Sequence, residues 1–110
     1  MVLVLHSANT IKFIRMEKEK ILTLHPAGKK GTNISLEKYN LIKNAMLEIL
    51  QKEGVITYQD LSDQLEKDLQ PTFKGRVVWY VVTVKLDLEA REIIERIPKT
   101  SPHQVRIKKD

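Results

Sequence analysis

The chain contains no cysteine among its 110 residues. This absence excludes disulfides, thiolate zinc sites and a cysteine nucleophile, and it is typical of a reducing compartment, so we expect a cytoplasmic protein. Aromatic residues make up only 5 % of the chain. A core must therefore be built mainly from leucine, isoleucine and valine.

Long apolar runs are missing as well. The longest near-apolar stretch, residues 77–84, is too short to cross a bilayer, so no membrane partner is expected. Met1–Leu5 lacks the basic flank of a signal peptide. We interpret residues 1–15 as a non-native or flexible extension, because Met16 opens a stretch typical of a bacterial amino terminus. The alternative is an edge strand at Met1–Leu5, since valine and leucine favour strands.

The net charge of +5 is distributed unevenly. The first 31 residues and the segment after residue 72 are basic, whereas residues 54–72 are acidic. Such asymmetry suits a polyanionic partner. An ordinary solvated surface explains the same charges.

Two helices are predicted from capping and periodicity. Residues 35–52 carry apolar side chains at helical spacing, Ser35 can cap the start and Gly54 can end the helix. Residues 57–69 begin with a Thr57-x-x-Asp60 capping pattern. The outer face of this second helix is acidic, so we expect it to avoid phosphates.

The segment from Arg76 to Arg91 has two interpretations. Residues 82–89 alternate apolar and polar, which is typical of a strand. Helical periodicity instead predicts a buried face of Trp79, Val82, Leu86 and Ala90, with Trp79 in the core. It also predicts a polar face of Arg76, Tyr80, Thr83, Asp87 and Arg91. We favour the helix because the polar stripe persists over four turns.

A basic hairpin is predicted to follow, with strands at 93–97 and 104–108 joined by a proline-containing loop. Helix, turn, helix and hairpin together predict an α+β, mainly α fold. We interpret it as a winged helix-turn-helix of three helices and a carboxy-terminal two-stranded wing, spanning residues 33–110. A basic arm or loop, residues 16–32, would precede it.

Several strings in the chain carry a family resemblance, which covers about residues 20–108. They are Leu24-His-Pro-Ala-Gly-Lys-Lys-Gly31, Lys38-Tyr39, Trp79-Tyr80, Val84-Lys-Leu-Asp-Leu-Glu-Ala-Arg91 and Ile94-Glu-Arg96. Together they resemble a family of small uncharacterised bacterial proteins, a domain of unknown function. The resemblance implies a winged-helix-like fold and no particular activity.

Residues 88–96 also resemble the junction between recognition helix and wing in winged-helix regulators. Those regulators usually place glycine where Glu92 stands, because the chain turns there in a left-handed conformation. Glutamate at this position departs from that pattern, so two ends of the helix stay open: near Arg91, or further on at Ile94.

Double-stranded DNA is the leading partner hypothesis, with the protein as a regulator-like dimer. The candidate contacts on the third helix and the wing are Arg76, Tyr80, Thr83, Arg91, Lys99, Arg106 and Lys108. Arginines can bind guanine edges or phosphates, and binding would weaken with salt. Asp87 fits such a face only opposite a cytosine amine or paired with Arg91. Alternatively, the stripe is a solvated face and the wing cations protect a sheet edge.

The glycine-containing loop after Leu24 is a weaker candidate for anion binding. Its contributors would be His25, Gly28, Lys29, Lys30 and Gly31. The alternative, which we favour, is an arm packed over the domain.

No enzyme, cofactor or metal is expected. The sequence shows no combination of nucleophile, base and orienting group, and no metal-binding histidine spacing. The alternative to DNA binding is therefore a protein–protein interaction or assembly domain, and the third hypothesis is an anion sensor.

Overall fold

The computed structural model describes residues 19–109, which form an α+β fold. About half of these residues lie in three helices, and the strands are short and antiparallel. The elements are β1 (Lys20–Leu22), β2 (Asn33–Ser35), α1 (Leu36–Glu53), β3 (Val55–Thr57), α2 (Tyr58–Leu69), α3 (Val77–Ala90), β4 (Ile94–Ile97) and β5 (Gln104–Ile107). The predicted extension at residues 1–15, with its alternative strand Met1–Leu5, lies outside the described residues.

α1 begins and ends as its capping residues predict. The hydroxyl of Ser35 accepts from the Lys38 amide at 3.3 Å. Gly54 adopts a φ of 79° and donates its amide to the Leu50 carbonyl, which ends the helix. The apolar side of the helix enters the core through Tyr39, Ile42, Met46 and Leu50.

α2 is short and amphipathic, also as predicted. The Thr57 hydroxyl accepts from the Asp60 amide at 3.1 Å, which caps the helix. Leu61 and Leu65 are fully buried, one turn apart. The remaining surface of the helix is polar and largely acidic.

α3 is a helix, so the strand alternative for residues 82–89 is wrong. Val77, Val81, Val84 and Leu88 are buried, at a spacing of three and four residues. The three helices enclose the core together with Ile94 of β4 and Val105 of β5 and several partly buried residues.

The carboxy-terminal hairpin is confirmed, but it is part of a larger sheet. β4 pairs antiparallel with β5, in a register that places Glu95 opposite Arg106. β3 pairs with the other edge of β5, giving the order β3-β5-β4. The prediction of a wing formed only by the two carboxy-terminal strands was therefore wrong. The sequence did not show that β3 joins this sheet, because a three-residue strand is too short to show periodicity.

A second small sheet forms where the sequence predicted only a basic arm. β1 pairs antiparallel with β2, and the Leu36 amide donates to the Glu19 carbonyl. Thr23 extends the hairpin, since its amide and hydroxyl both donate to the Thr32 carbonyl. A Cβ on Gly31 would lie 1.6 Å from the Thr23 carbonyl oxygen, so the close approach of these chains requires glycine here.

The turn between α3 and β4 contains a residue in the left-handed conformation, at the position where winged-helix regulators usually place glycine. Glu92 has a φ of 62° although it is not glycine. Its amide donates to the Glu89 carbonyl, and the Ile93 amide donates to Leu88. The helix therefore ends at Ala90, close to the predicted end at Arg91, and the alternative in which it runs on to Ile94 is wrong.

Candidate functional site

The face of α3 that packs into the core is not the one predicted. Trp79 and Val82, expected to be buried, are 41 % and 36 % exposed, whereas Asp87 of the predicted polar face is fully buried. The reason is that α3 carries apolar side chains on nearly every side. Contacts with α1 and α2 determine which face of α3 is buried. Helical periodicity alone does not show which face that is.

The displaced apolar side chains form an exposed patch that we call the α3 strip: Val78, Trp79 and Val82. Val78 is 47 % exposed and lies one helical turn from Val82. The ring of Trp79 packs edge-on against Tyr80, with centroids 4.9 Å apart. The face that the sequence predicted as buried is therefore an exposed apolar surface of α3.

Three of the predicted DNA-contacting cations are paired with carboxylates. Arg91 Nε lies 2.9 Å from Asp87 Oδ2, and Arg106 Nε lies 2.8 Å from Glu95 Oε2. Lys108 Nζ lies 2.6 Å from Glu92 Oε1. The lysine and arginine partners lower the pKa of Glu92 and Glu95, respectively, through hydrogen bonding.

The other four candidates lie on α3 or in the hairpin turn. Arg76 is the exposed residue preceding α3, and Lys99 is exposed in the turn between β4 and β5. Tyr80 packs edge-on against Phe73, with Lys38 Nζ 5.1 Å from its ring centre. The Thr83 hydroxyl donates to the Trp79 carbonyl at 2.9 Å. The structure does not gather these side chains into one continuous polar surface.

The carboxy-terminal end of α3 carries the first of two clusters of charged and polar groups. We call it the Asp87 cluster, and it consists of Asp87, Arg91, Tyr39 and the Leu24 amide. Asp87 Oδ1 accepts from the Leu24 amide at 2.8 Å, and Oδ2 accepts from the Tyr39 hydroxyl. Arg91 Nε lies within 3.0 Å of both carboxylate oxygens. The predicted pairing of Asp87 with Arg91 is confirmed. The hydrogen bonds from Leu24 and Tyr39 to Asp87 also link the amino-terminal hairpin and α1 to α3.

The cluster changes the proton affinity of its members. Burial, followed by the hydrogen bond and the charge of Asp87, raises the pKa of Tyr39 to about 12. The hydrogen bond to Asp87 raises the pKa of Arg91. The tyrosine therefore stays neutral and the arginine stays charged, as a structural linkage requires.

A second charged group, the Lys85 cluster, was not predicted: Lys85, Glu89, Tyr58 and His103. Lys85 Nζ lies 3.1 Å from Glu89 Oε1 and 5.1 Å from the centre of the Tyr58 ring. The Tyr58 and His103 rings stack at 5.2 Å and 8°. The spacing of four residues between Lys85 and Glu89 was the one sequence signal for this cluster.

His103 has one unsatisfied atom in this cluster. Its Nε2 is buried and has no hydrogen-bond partner within the described residues. Burial, then the charges of Lys85 and Arg96, lowers the pKa of His103, while Glu89 opposes the shift. The ring is thus held neutral at the junction of the hairpin with α2 and α3.

The predicted anion-binding loop packs against the end of α3. Two of its backbone amides are already used: Ala27 donates to His25 Nδ1 at 3.1 Å, and Gly28 donates to the His25 carbonyl at 2.9 Å. Gly31 lies against Thr23. Only the side chains of Lys29 and Lys30 remain exposed in this loop as cations, which agrees with the packed-arm alternative.

Comparison with protein families identifies the chain. The matching model is described as a family of unknown function (DUF6958), and it matches residues 20–105. The chain belongs to this family. The DUF6958 match includes the α3 strip and both charged clusters. The expected resemblance to a family without assigned activity is thereby confirmed, and its bacterial origin stays a prediction. No curated protein and no solved structure matches significantly.

Residues 19–109 contain no group of three or more histidine or carboxylate side chains placed to hold a metal ion. None of the helices in this range combines the length and apolar character needed to span a membrane.

Proposed function

We propose that this protein is a winged-helix-like association domain that forms a homodimer through the α3 strip. The fold proposal is supported by the order helix, strand, helix, helix, strand, strand from α1 to β5. It is also supported by the sheet order β3-β5-β4, in which the first strand joins the edge of the hairpin. Because many functions use one fold, the surface must support the function separately.

The observation that carries the proposal is the composition of the outward face of α3. Val78, Trp79 and Val82 are each more than a third exposed, and none carries a charge. Exposed apolar side chains grouped on one helix face mark a protein contact more often than scattered ones do. Tryptophan is among the residues that contribute most to such contacts.

The net charge of the protein allows a second copy as partner only at an uncharged surface such as this strip. Two copies with a net charge of +5 repel each other, and the repulsion is smallest where uncharged surfaces meet. Farther along α3, Lys85 and Glu89 neutralise each other. A twofold-symmetric dimer uses the same patch on both subunits, so a patch without charge makes no like-charge contact with its copy.

DNA binding remains a prediction with weaker support. Arg91, Arg106 and Lys108 already contact carboxylates, so binding phosphate would require these pairs to be exchanged. Among the candidates, Arg76 and Lys99 keep an exposed cation, and neither takes part in an ion pair within residues 19–109. Two isolated cations supply few of the phosphate contacts on which affinity for DNA depends.

Light scattering of the full chain after size-exclusion chromatography tests the dimer. We expect the mass of a dimer for the wild type and of a monomer for Val82→Glu, because the variant places two charges in the symmetric contact. Leu41→Glu is the matched control, since Leu41 is 44 % exposed on α1 and lies outside the strip. A monomeric wild type, or a control that dissociates equally, would contradict the proposal.

Fluorescence anisotropy with mixed duplex DNA tests the competing function. We expect no binding at low salt. Binding that disappears in Arg76→Ala would favour the DNA hypothesis over association.

A further inference from the structure

A groove separates the second half of α1 from α2, on surfaces that the α3 strip does not use. Its volume is about 700 Å³. Its apolar lining comes from Ala45, Ile49 and Ile56, which are all half-buried. Residues 45 and 49 are one turn apart on α1, so this lining follows the helix axis.

The rims of the groove are acidic. Glu48 and Glu53 border it on α1, and Asp60 and Asp68 border it on α2. Lys52 is the single cation in the lining. The most acidic part of a protein that is basic as a whole therefore lies around an apolar depression.

These carboxylates are not compensated within the described residues. None of the ion pairs found between residues 19 and 109 includes Glu48, Glu53 or Asp60. Asp68 accepts only from the neutral amide of Gln64, at 2.9 Å. Carboxylates facing each other across one groove repel, and a bound cationic group relieves that repulsion.

We propose that this groove binds a basic amphipathic helix of a partner protein. An apolar groove accepts the apolar face of such a helix, and the acidic rims fit lysines or arginines on its flanks. The rim from Asp60 to Asp68 spans about 12 Å, at a rise of about 1.5 Å per residue. The occupant therefore engages the groove over two to three helical turns.

Other ligand classes fit this groove less well. Nucleic acid is repelled by four carboxylates, and the described residues hold no group placed to bind a metal ion. The inference is independent of the proposed dimer, because it concerns α1 and α2 rather than α3.

Anisotropy of a fluorescent synthetic peptide with the full chain tests the groove. The probe is an amphipathic helical peptide of leucine and lysine. We expect it to bind one-to-one at low salt and more weakly at high salt, because salt screens the rim charges. A peptide with serine in place of leucine keeps the charge, and one with glutamate in place of lysine keeps the apolar face. Neither is expected to bind.

Matched charge reversals locate the binding. Glu48→Lys and Asp68→Lys are each expected to weaken binding by about tenfold, the size of effect expected when a rim charge is reversed. Asp63→Lys is the control: it makes the same change on an exposed part of α2 that does not line the groove. Chemical-shift mapping of the wild type with the probe adds a readout that depends on no variant, with shifts expected along residues 45–68.

Three results would overturn the proposal. The first is no binding by the wild type, including the case in which residues 1–18 of the chain fill the groove themselves. The second is that Asp63→Lys weakens peptide binding as much as Glu48→Lys and Asp68→Lys do, or that the serine peptide still binds. Either result would mean that binding depends on net charge alone. The third is a dimer that dissociates on Asp68→Lys, because the groove would then belong to a second copy.

Discussion

The Asp87 cluster and the Lys85 cluster lie on one helix, two residues apart, and they differ in how completely their polar atoms are satisfied. Both oxygens of the buried Asp87 carboxylate accept hydrogen bonds from three separate parts of the chain. The Lys85 cluster instead leaves His103 Nε2 buried without a partner in the described residues. A buried charge is tolerated when it is paired and hydrogen-bonded, whereas an unsatisfied polar atom costs stability.

The Asp87 cluster is a structural linkage, whereas the Lys85 cluster contains a group that responds to pH. The Asp87 cluster joins the amino-terminal hairpin, α1 and α3, and at neutral pH its tyrosine stays neutral and its arginine stays charged. The Lys85 cluster joins α2, α3 and the carboxy-terminal hairpin, and it contains His103, whose pKa is lowered mainly by burial. We therefore expect mutations to act most strongly on the first cluster and changes toward acid pH to act on the second.

The largest effect is expected for Asp87→Ala. The change removes the acceptor of the Leu24 amide, the Tyr39 hydroxyl and the Arg91 guanidinium. Hydrogen bonds to a charged group contribute about 1.5–3 kcal/mol each, so we expect a loss of about 3–5 kcal/mol. Urea unfolding measures the loss of unfolding free energy. Lys85→Met should cost less, about 1–2 kcal/mol, because it removes one ion pair, whereas Asp87→Ala removes hydrogen bonds to three parts of the chain. Equal losses in the two variants would contradict the comparison.

A smaller effect is expected for Tyr39→Phe, about 1–2 kcal/mol at neutral pH, because Asp87 loses one hydrogen bond but keeps Arg91. The folded state raises the pKa of Tyr39 from 10.0 to about 12. It therefore holds a proton that the unfolded chain releases, and this stabilisation is complete below pH 10 and lost as the pH rises toward 12. Urea midpoints of wild type and variant should converge over that range. A difference that stays constant would show that Tyr39 does not titrate as the geometry indicates.

A pH-dependent effect is expected from His103. Its pKa in the folded state lies below the usual 6.5, so the unfolded chain binds the proton more readily. The stability due to the neutral ring is present above pH 6.5 and is lost as the pH falls through the lowered pKa. His103→Phe keeps a ring against Tyr58 and removes the titration. The variant should therefore lose less stability than the wild type on acidification, as followed by thermal unfolding at neutral and acid pH.

The smallest effect is expected for Glu92→Gly, a position that belongs to neither cluster. Glycine adopts a φ of 62° without the steric cost that glutamate carries. The lost contact with Lys108 is exposed to solvent and offsets only part of this gain. We expect a small rise in the urea midpoint. A fall would mean that the ion pair outweighs the relief of backbone strain.

The helices and the carboxy-terminal hairpin were predictable because their signals are local. Ser35, Thr57 and Gly54 act as caps within one turn of the residues they cap. The hairpin was bounded by its prolines and its alternating pattern. β1 and β2 escaped prediction because each has only three residues. The sequence allows a very short strand at Val55-Ile56, but its pairing with β5 was missed because β5 is distant in the chain.

The site was less predictable than the fold. Valines on several sides of α3 conceal which face is buried, so Trp79 was placed in the core although it is exposed. The spacing of Asp87 and Arg91 suggested their pairing, but the burial of Asp87 also requires the Leu24 amide, which lies 63 residues away. No local pattern contains that contact.

The hydrogen bond between the Leu24 amide and Asp87 also orders the steps of folding. It joins residues 63 positions apart, whereas the hairpin that contains Leu24 is closed by contacts over much shorter separations. Closing the long loop requires α3 to be in place first. The hairpin should therefore form early and attach late. In the native state, hydrogen exchange of the Leu24 amide measures how readily the hairpin detaches. We expect this detachment to require less free energy than opening of the core.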